Sequence, residues 1–513
     1  MVFGSLFSNS PTAQVFLGAP EAEAEATALS RVSLLDVYED YHHLLPALTG
    51  EKFIVVGRKG AGKSAFAEYV VLRSKDEPNI FCQFIKASDS HIERAIQLGH
   101  EAGAQVDTES FFRWLIYTNI LKLFSENAAV ENDSHYELLR QFLKKNAGYI
   151  NIRDFEIKAL IAKSGFNVSV EYFNRFLRAT GGRSLEVKSE RAPYFKLLPH
   201  LEEVLVKALR APVERKNSNS YALIFDDLDV HFSACNPRSV ESLVTLLRAC
   251  RHVNNEVFGK NGINAKAIIL LRDDIEAYLV SRYADTAKLF SSYVSTINWY
   301  QEEYATSPQK EQELNLKRFI NRRIQYAFRK SGLACDAQDP WDCLVKPDHL
   351  YDRSSFKYIV NNTLFRPRDL LLFFKPLEMG KFTYPLSKSD ITILVESYSE
   401  ELTKEIRNEL SSFYSDIQII TIFMALAAIA RENSTYKSAL QTVTSCCKNV
   451  EADGLLEYLF DRSIIGTVDS KGWYWFKCRQ PAGFSAPLQL DKTHNIVVQY
   501  GVRGHVMRRY ASA

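Results

Sequence analysis

The stretch FIVVGRKGAGKSAFAEYV, residues Phe53–Val70, decides how this chain folds. Four apolar residues are typical of a buried strand, a glycine-rich turn follows, and the next segment has the apolar spacing of a helix. The turn fits G-x-x-x-x-G-K-[ST], the spacing of a phosphate-binding loop between a strand and a helix. A glycine-rich connection without a ligand is the alternative, which the flanking strand and helix patterns disfavour. The residues expected to contact phosphate are Gly57, Arg58, Lys59, Gly60, Ala61, Gly62, Lys63, Ser64 and Ala65.

The chemistry of this turn follows from its residue types. Glycines let successive backbone N–H groups and the N-terminus of the next helix face an anion. We expect Lys63 to reach the β- and γ-phosphates of a nucleotide and the Ser64 hydroxyl to complete a Mg²⁺ shell. No guanine-reading N-K-x-D motif follows the apolar run that leads into Asp226, and this absence favours ATP over GTP as the nucleotide. The sequence therefore predicts ATP and Mg²⁺ as ligands.

An acidic element suited to such a site lies in SYALIFDDLDVHF. Its apolar residues predict a central strand, and carboxylates follow at the carboxyl end, where α/β sheets place their ligands. Asp226 is expected to hold the Mg²⁺ shell, and Asp227 lies where a carboxylate can orient the attacking water. An acidic loop after an ordinary strand is the alternative, which the upstream loop makes less favourable.

Together, GRKGAGKS and LIFDDLD resemble the additional-strand P-loop ATPases, in particular the AAA+ and STAND branch of origin-recognition-type initiators and KAP- or NACHT-type regulators. The resemblance implies an α/β fold with a central parallel sheet, ATP hydrolysis and two sensor arginines. Arg272 ends the strand pattern AIILLRDDI and is similar to a first sensor. Arg368, in TLFRPRDLLLFF, is similar to the second sensor that opens a lid helix. For each arginine, the alternative is a solvated or dipole-paired charge.

The length of 513 residues predicts several domains. We expect a P-loop core with a large helical insertion, a helical lid and a C-terminal winged helix. In the lid, a helix pattern follows a Ser307 cap and ends at Gly332. The predicted boundaries are an N-terminal segment 1–50, an ATPase core 51–305 with the insertion at about 89–219, a lid 306–412 and a winged-helix domain 413–513.

The winged-helix prediction rests on helix patterns at 416–431, 436–448 and about 451–461, followed by two apolar runs around an Asp469–Gly472 turn. Alternation along Trp473–Phe476 predicts two buried and two exposed aromatic side chains. The third helix is acidic, so protein contact is favoured over DNA contact. Contacts with DNA would have to come from the wing and tail residues Lys471, Lys477, Arg479, Arg503, Arg508 and Arg509.

The insertion contains a local excess of positive charge. Residues 140–216 hold sixteen Lys and Arg against eight Asp and Glu, in a chain whose net charge is +2. Basic residues interspersed with aromatic ones can bind phosphates and stack bases, but they also occur as a solvated helical face over core aromatics. The aromatic residues concerned are Tyr149, Phe155, Phe166, Tyr172, Phe173, Phe176, Tyr194 and Phe195.

Targeting and redox features predict a cytoplasmic protein without a membrane segment. No basic residue precedes Arg31, so a signal peptide is not expected. The apolar run Ile419–Ala430 is too short to span a bilayer and predicts a core helix. Eight irregularly spaced cysteines without a C-x-x-C pair favour a reducing compartment and disfavour disulfide or zinc sites.

The sequence thus predicts an ATP-hydrolysing switch that couples nucleotide state to homo-oligomerisation and to control of a protein partner. The alternative is an ATPase loaded onto DNA or RNA through the basic insertion and winged helix; a small-molecule kinase is less favoured. The resemblance also implies a mobile-element or phage-defence setting. Candidates for an arginine supplied to a neighbouring subunit are Arg248, Arg251 and Arg282.

Overall fold

The structure is a computed structural model, and its chain divides into two compact units. The α/β unit comprises His42–Arg58 and Lys63–Ile297. The helical unit comprises the described residues of Met1–Tyr41, Lys59–Gly62 and Asn298–Ala513. The structure describes residues 14–86, 108–131, 133–147, 167–181, 190–210, 218–228, 232, 237–301, 308–335, 338–347, 353–411, 413–431, 434–480 and 488–511.

Five strands of the described chain form a parallel sheet in the α/β unit, in the order β2-β5-β6-β1-β7 of the strands bounded below. Strand β6 therefore lies between β1, which precedes the glycine-rich loop, and β5, which ends at Asp226. All four residues of β1 are buried, as expected for a strand covered on both faces. The strands are β1 (Ile54–Gly57), β2 (Ile80–Lys86), β3 (Asn167–Ser169), β4 (Arg191–Pro193), β5 (Ser220–Asp226), β6 (Ala265–Arg272), β7 (Val294–Ile297), β8 (Ile465–Val468), β9 (Tyr474–Trp475) and β10 (Asn495–Val498).

Helices pack against this sheet, and the described part of the predicted insertion is mostly helical. It also contains the short antiparallel pair β3–β4, which its helical period did not predict. A π-helix follows at Val253–Gly259. The helices of the α/β unit are α3 (Leu44–Thr49), α4 (Lys63–Asp76), α5 (Thr108–Ser125), α6 (Ala128–Glu131), α7 (Glu137–Lys145), α8 (Glu171–Ala179), α9 (Leu198–Leu209), α10 (Pro237–His252), α11 (Asp273–Arg282) and α12 (Ala284–Tyr293).

The described aromatic residues of the basic segment belong mostly to the hydrophobic core. Phe173, Phe176 and Tyr194 are buried, and Phe195 is exposed. Tyr172 is partly buried and packs against the same core. Three of these five rings are therefore unavailable for base stacking, which favours the core alternative for them. Tyr149, Phe155 and Phe166 lie outside the described residues.

The helical unit has its own hydrophobic core. Its long helix α17 begins with a capping box, in which Ser387 and Asp390 each bond the other's backbone N–H. The helices of this unit are α1 (Ala22–Glu25), α2 (Leu34–Val37), α13 (Asn315–Lys330), α14 (Pro340–Leu344), α15 (Ser355–Asn361), α16 (Pro367–Phe374), α17 (Lys388–Leu410), α18 (Asp416–Arg431), α19 (Tyr436–Cys446), α20 (Ala452–Asp461) and α21 (Tyr500–Tyr510).

The predicted lid helix starts later than its sequence pattern suggested. A 3₁₀ helix occupies Pro308–Glu313, and α13 begins only at Asn315. The helix ends as predicted, because Gly332 follows with a φ of +67°, a conformation that glycine adopts without a steric penalty. The expected cap, Ser307, lies outside the described residues.

Near the C-terminus, α18, α19 and α20 precede an antiparallel sheet of order β10-β8-β9. The prediction for the aromatic run in this sheet was wrong in one respect. Trp473, Tyr474 and Trp475 are exposed at 63%, 43% and 43%, and only Phe476 is buried. Because β9 is only two residues long and lies at the sheet edge, strand alternation does not extend through the whole run.

The apolar run Ile419–Ala430 lies within α18 and is largely buried, as predicted for a core helix. Within the described ranges, no helix combines the length and the apolar character that a bilayer-spanning segment requires.

Candidate functional site

The α/β unit brings several predicted site residues to one edge of its sheet. Gly57, the first loop glycine, is in register with Arg272 where β1 and β6 end. Asp226 is the last residue of β5, which pairs with β6 on its other side. Three parallel strands therefore end side by side, with the glycine-rich loop, Arg272 and Asp226 at the edge where such sheets bind ligands.

A direct hydrogen bond joins the two predicted metal ligands. The Ser64 hydroxyl donates to Asp226 Oδ2 at 2.6 Å. Asp226 is only 3% exposed, and burial raises the pKa of its carboxyl group to about 6. The Ser64 hydroxyl and the backbone N–H of Asp227 oppose that rise by hydrogen-bonding to the carboxylate. A buried carboxylate with these few donors is electrostatically suited to a cation.

The lysine of the loop folds back onto the loop backbone. Lys63 Nζ donates to the carbonyl oxygens of Gly57 at 2.8 Å and of Arg58 at 3.1 Å. Lys63 is also the first residue of α4, so its ammonium group is anchored at a helix N-terminus. The positive helix end and the ammonium group are both favourable for an anion.

Two further predicted site residues of the α/β unit are Asp227, which has an unusual backbone conformation, and Arg272, which forms an ion pair. Asp227 has a φ of +57°, in the left-handed region where Asp and Asn are enriched. Arg272 forms a two-point contact with Asp274: Nε donates to Oδ1 at 3.0 Å and Nη2 to Oδ2 at 2.6 Å. Arg272 therefore ends β6, and its guanidinium is bound to a carboxylate on α11.

The tip of the loop, residues 59–62, belongs to the helical unit and makes contacts there. Arg366 Nη1 donates to the Lys59 carbonyl at 3.1 Å, and Trp299 Nε1 donates to the Ala61 carbonyl at 2.8 Å. A Cβ atom on Gly60 would lie 3.0 Å from Cβ and Cδ of Arg368, and Gly60 has a φ of +76°. Both its backbone conformation and this close approach require glycine at that position.

Arg366 is the centre of a buried ionic network that sequence reasoning missed. Its Nη2 lies 2.6 Å from Asp369 Oδ1 and 3.4 Å from Glu405 Oε2. Burial alone would lower the pKa of the guanidinium, but attraction from Asp369 and Glu405 raises it well above its ordinary value. The sequence analysis identified the motif Arg366-Pro367-Arg368-Asp369 but assigned no role to Arg366. Nothing in the sequence indicates that Arg366 pairs with Glu405, which lies 39 residues later.

The predicted second sensor, Arg368, is one residue beyond Pro367 at the start of α16. Its side chain is 24% exposed, and Nη2 lies 3.4 Å from Glu21 Oε1. Burial would raise the pKa of Glu405, but Arg366, Arg368 and Lys59 lower it. Arg368 thus contributes to a positive field around the loop tip.

Of the arginine-finger candidates, Arg248 has a partner within the chain, because its Nη2 lies 2.6 Å from Asp285 Oδ2. The guanidinium of Arg282 lies 4.9 Å from the ring centre of Tyr278. Arg251 lies in the last turn of α10.

Comparisons with known proteins match parts of this chain. Residues 314–407 match the family model FunZ_C, described as the FunZ-associated C-terminal helical domain. This segment includes Arg366, Arg368, Asp369 and Glu405. The putative transposon gamma-delta 80.3 kDa protein of Escherichia coli (strain K12) is 22% identical in an alignment of 443 residues that covers 82% of this chain. The alignment spans 57% of that curated relative's length. The solved structure of the Aeropyrum pernix ORC2 protein, in ADPNP-ADP complexes, covers 98% of both chains at 13% identity and a TM-score of 0.34.

Proposed function

We propose that the protein binds and hydrolyses ATP with Mg²⁺ at the P-loop. The observation that carries this proposal is the 2.6 Å hydrogen bond from Ser64 to Asp226, formed between the P-loop helix α4 and the end of β5. Serine and aspartate are the ligand types that P-loop enzymes use for Mg²⁺. The residues present therefore fit the proposed cofactor.

Each site residue has a proposed role. Ser64 and Asp226 hold Mg²⁺, which neutralises charge on the phosphate oxygens when it is bound. Lys63 and the backbone N–H groups of the loop bind the triphosphate. Asp227 orients the attacking water and accepts its proton. Arg272 and Arg368 serve as sensors, because a planar guanidinium suits an anion with several oxygens.

Steady-state ATP hydrolysis tests this proposal. The parent protein should release phosphate in the presence of Mg²⁺ and stop on addition of EDTA, and Lys63→Ala should abolish turnover. Lys75→Ala is the matched control, because Lys75 is an exposed lysine on the same helix. Absence of turnover in the parent, or equal turnover in Lys63→Ala and Lys75→Ala, would contradict the proposal.

We further propose that the protein is an AAA+/STAND-like switch whose nucleotide state controls self-association and a protein partner. The inserted strand β6 and the contacts of the helical unit with the loop tip support that class. The matched Escherichia coli protein is named as a transposon protein, which favours a mobile-element setting and, through the resemblance, phage defence.

We interpret α18–α20 and β8–β10 as a winged helix that contacts protein. The acidic residues Asp453 and Glu457 of α20 both pair with Lys492, at 2.7 Å and 3.3 Å. A DNA-reading helix presents basic or neutral side chains to phosphates, so this face is poorly suited to DNA. The exposed Trp473 and Trp475 provide an apolar contact surface at the hairpin.

A further inference from the structure

A cleft with a volume of about 540 Å³ lies in the helical unit. Helices α15, α17 and α21 contribute to its walls. Its size falls in the range of pockets that hold small organic ligands. The residues that define its chemistry are Arg353, Tyr358, Asn361, Asn362, Tyr500 and Arg503.

Two arginines line this cleft and are exposed. Within the described part of the chain, neither Arg353 nor Arg503 has a carboxylate partner. By contrast, Arg508, on the same helix as Arg503, lies 2.8 Å from Glu396. Two guanidinium groups that have no carboxylate partner among the described residues can attract a multi-oxygen anion.

Tyrosine rings accompany these charges. Tyr358 and Tyr500 line the cleft, and the ring of Tyr474 lies 6.3 Å from that of Tyr500. The phenol of Tyr500 raises the pKa of the Tyr474 hydroxyl, and Arg353 and Arg503 oppose that rise. The two arginines and two of these phenols are therefore within electrostatic reach of one another. Flat aromatic surfaces beside cations are the features that bind a nucleobase next to its phosphate.

A buried glutamine joins two of the helices that line the cleft. Gln499 is 1% exposed and caps α21 by accepting from Gly501 and Val502 N–H groups. Its amide also donates to the carbonyls of Asn361 at 3.1 Å and Thr363 at 2.8 Å. These bonds fix the start of α21 against the end of α15. The two helices that line the cleft therefore hold their positions before a ligand binds.

We propose that this cleft binds a nucleotide, with its phosphate on Arg353 and Arg503 and its base against Tyr358 and Tyr500. The occupant is either a free mononucleotide or the terminal nucleotide of a single strand, which share this chemistry. The site is separate in sequence from the P-loop and does not depend on the ATPase proposal.

The experiment uses the full-length Lys63→Ala protein, so that P-loop binding does not contribute. Fluorescence anisotropy follows a labelled, 5′-phosphorylated deoxythymidine oligonucleotide, and fluorescence titration follows a methylanthraniloyl derivative of AMP. We expect Arg353→Ala with Arg503→Ala to weaken binding at least about tenfold, because each charge-assisted contact is lost. Tyr500→Leu should weaken binding severalfold through lost stacking.

Arg508→Ala is the matched control, since Arg508 lies on the same helix as Arg503 and forms an exposed ion pair with Glu396 of α17. This variant should change affinity less than about twofold. Binding of the oligonucleotide alone would identify a strand end, and binding of the AMP derivative would identify a free nucleotide; both support the site. Failure of both probes to bind, or equal losses in Arg503→Ala and Arg508→Ala, would overturn it. Circular dichroism melting of every variant confirms folding.

Discussion

At the scale of single residues, the proposed site contains a carboxyl group, that of Asp226, whose ionisation is unfavourable in the folded protein. Asp226 is almost fully buried, and burial raises its pKa to about 6. Its two donors, the Ser64 hydroxyl and the Asp227 N–H, do not fully compensate for lost hydration. The protein therefore retains a destabilising charge at neutral pH, which supports the proposed role of Asp226 as a cation ligand.

Substitution of Asp226 allows the free-energy cost of its ionisation in the folded protein to be measured. The pKa of Asp226 is higher in the folded protein than in the unfolded chain, so the folded state favours the protonated carboxyl group. The resulting stabilisation is fully present below about pH 4 and is lost as the pH rises through about 6. Asp226→Asn should therefore be more stable than the parent by up to about 3 kcal/mol at pH 8 in EDTA. The difference should disappear near pH 4. Urea denaturation at both pH values measures it, with the exposed Asp285→Asn as control.

A second prediction concerns Asp227. Asparagine tolerates the left-handed φ of +57°, so Asp227→Asn changes charge without changing the backbone. We expect ATP affinity within about twofold of the parent and hydrolysis reduced by about 100-fold or more, as for loss of a general base. Filter binding and phosphate release measure the two quantities. Equal hydrolysis rates in variant and parent would remove Asp227 from the mechanism.

At the scale of elements, the loop tip is held by the starts and ends of helices. Arg366 immediately precedes α16, and Glu405 and Glu409 lie in the last turns of α17. Glu409 lies 3.5 Å from Lys59 and 3.4 Å from Arg462, which follows α20. One carboxylate therefore connects the loop tip with the C-terminal helices of the same unit.

The buried network at Arg366 predicts a large effect on stability. Arg366→Met leaves Asp369 and Glu405 without their shared cation, so we expect a loss of about 3 kcal/mol or more. Arg318→Met is the control, because its ion pair with Glu39 is partly exposed and should contribute less than about 1 kcal/mol. Urea denaturation compares them, and similar losses in both variants would contradict a structural role for the network.

The sequence predicted the elements whose pattern is local. Apolar runs before Gly57 and Asp226 located β1 and β5, because a strand buried on both faces is continuously apolar. The partner of Arg366 was not predictable, since Glu405 is distant in sequence and only the packing of α16 and α17 brings it near. The exposed Trp473 and Trp475 were missed because alternation presumes a longer strand than β9.

At the scale of the whole molecule, each unit has its own hydrophobic core, and the net charge is only +2. Overall charge repulsion would therefore oppose self-association only weakly, and we propose that the protein self-associates under the control of nucleotide. Light scattering with ATP and Mg²⁺ should show a higher mass for Asp227→Asn, which holds unhydrolysed ATP. Lys63→Ala should keep the mass measured without nucleotide. An unchanged mass in Asp227→Asn would contradict nucleotide-controlled association.

The most direct measurement is calorimetric titration of ATP into the purified protein with Mg²⁺ present. The proposed P-loop site predicts one Mg²⁺-dependent ATP-binding event in the parent and in Lys75→Ala, and loss of that event in Lys63→Ala, whether or not the cleft at Arg353 and Arg503 also binds nucleotide. The same titration in EDTA should show weaker binding, because Ser64 and Asp226 then lack their cation. Parent-like binding by Lys63→Ala, or no binding by the parent, would contradict the assignment of this loop as the ATP site.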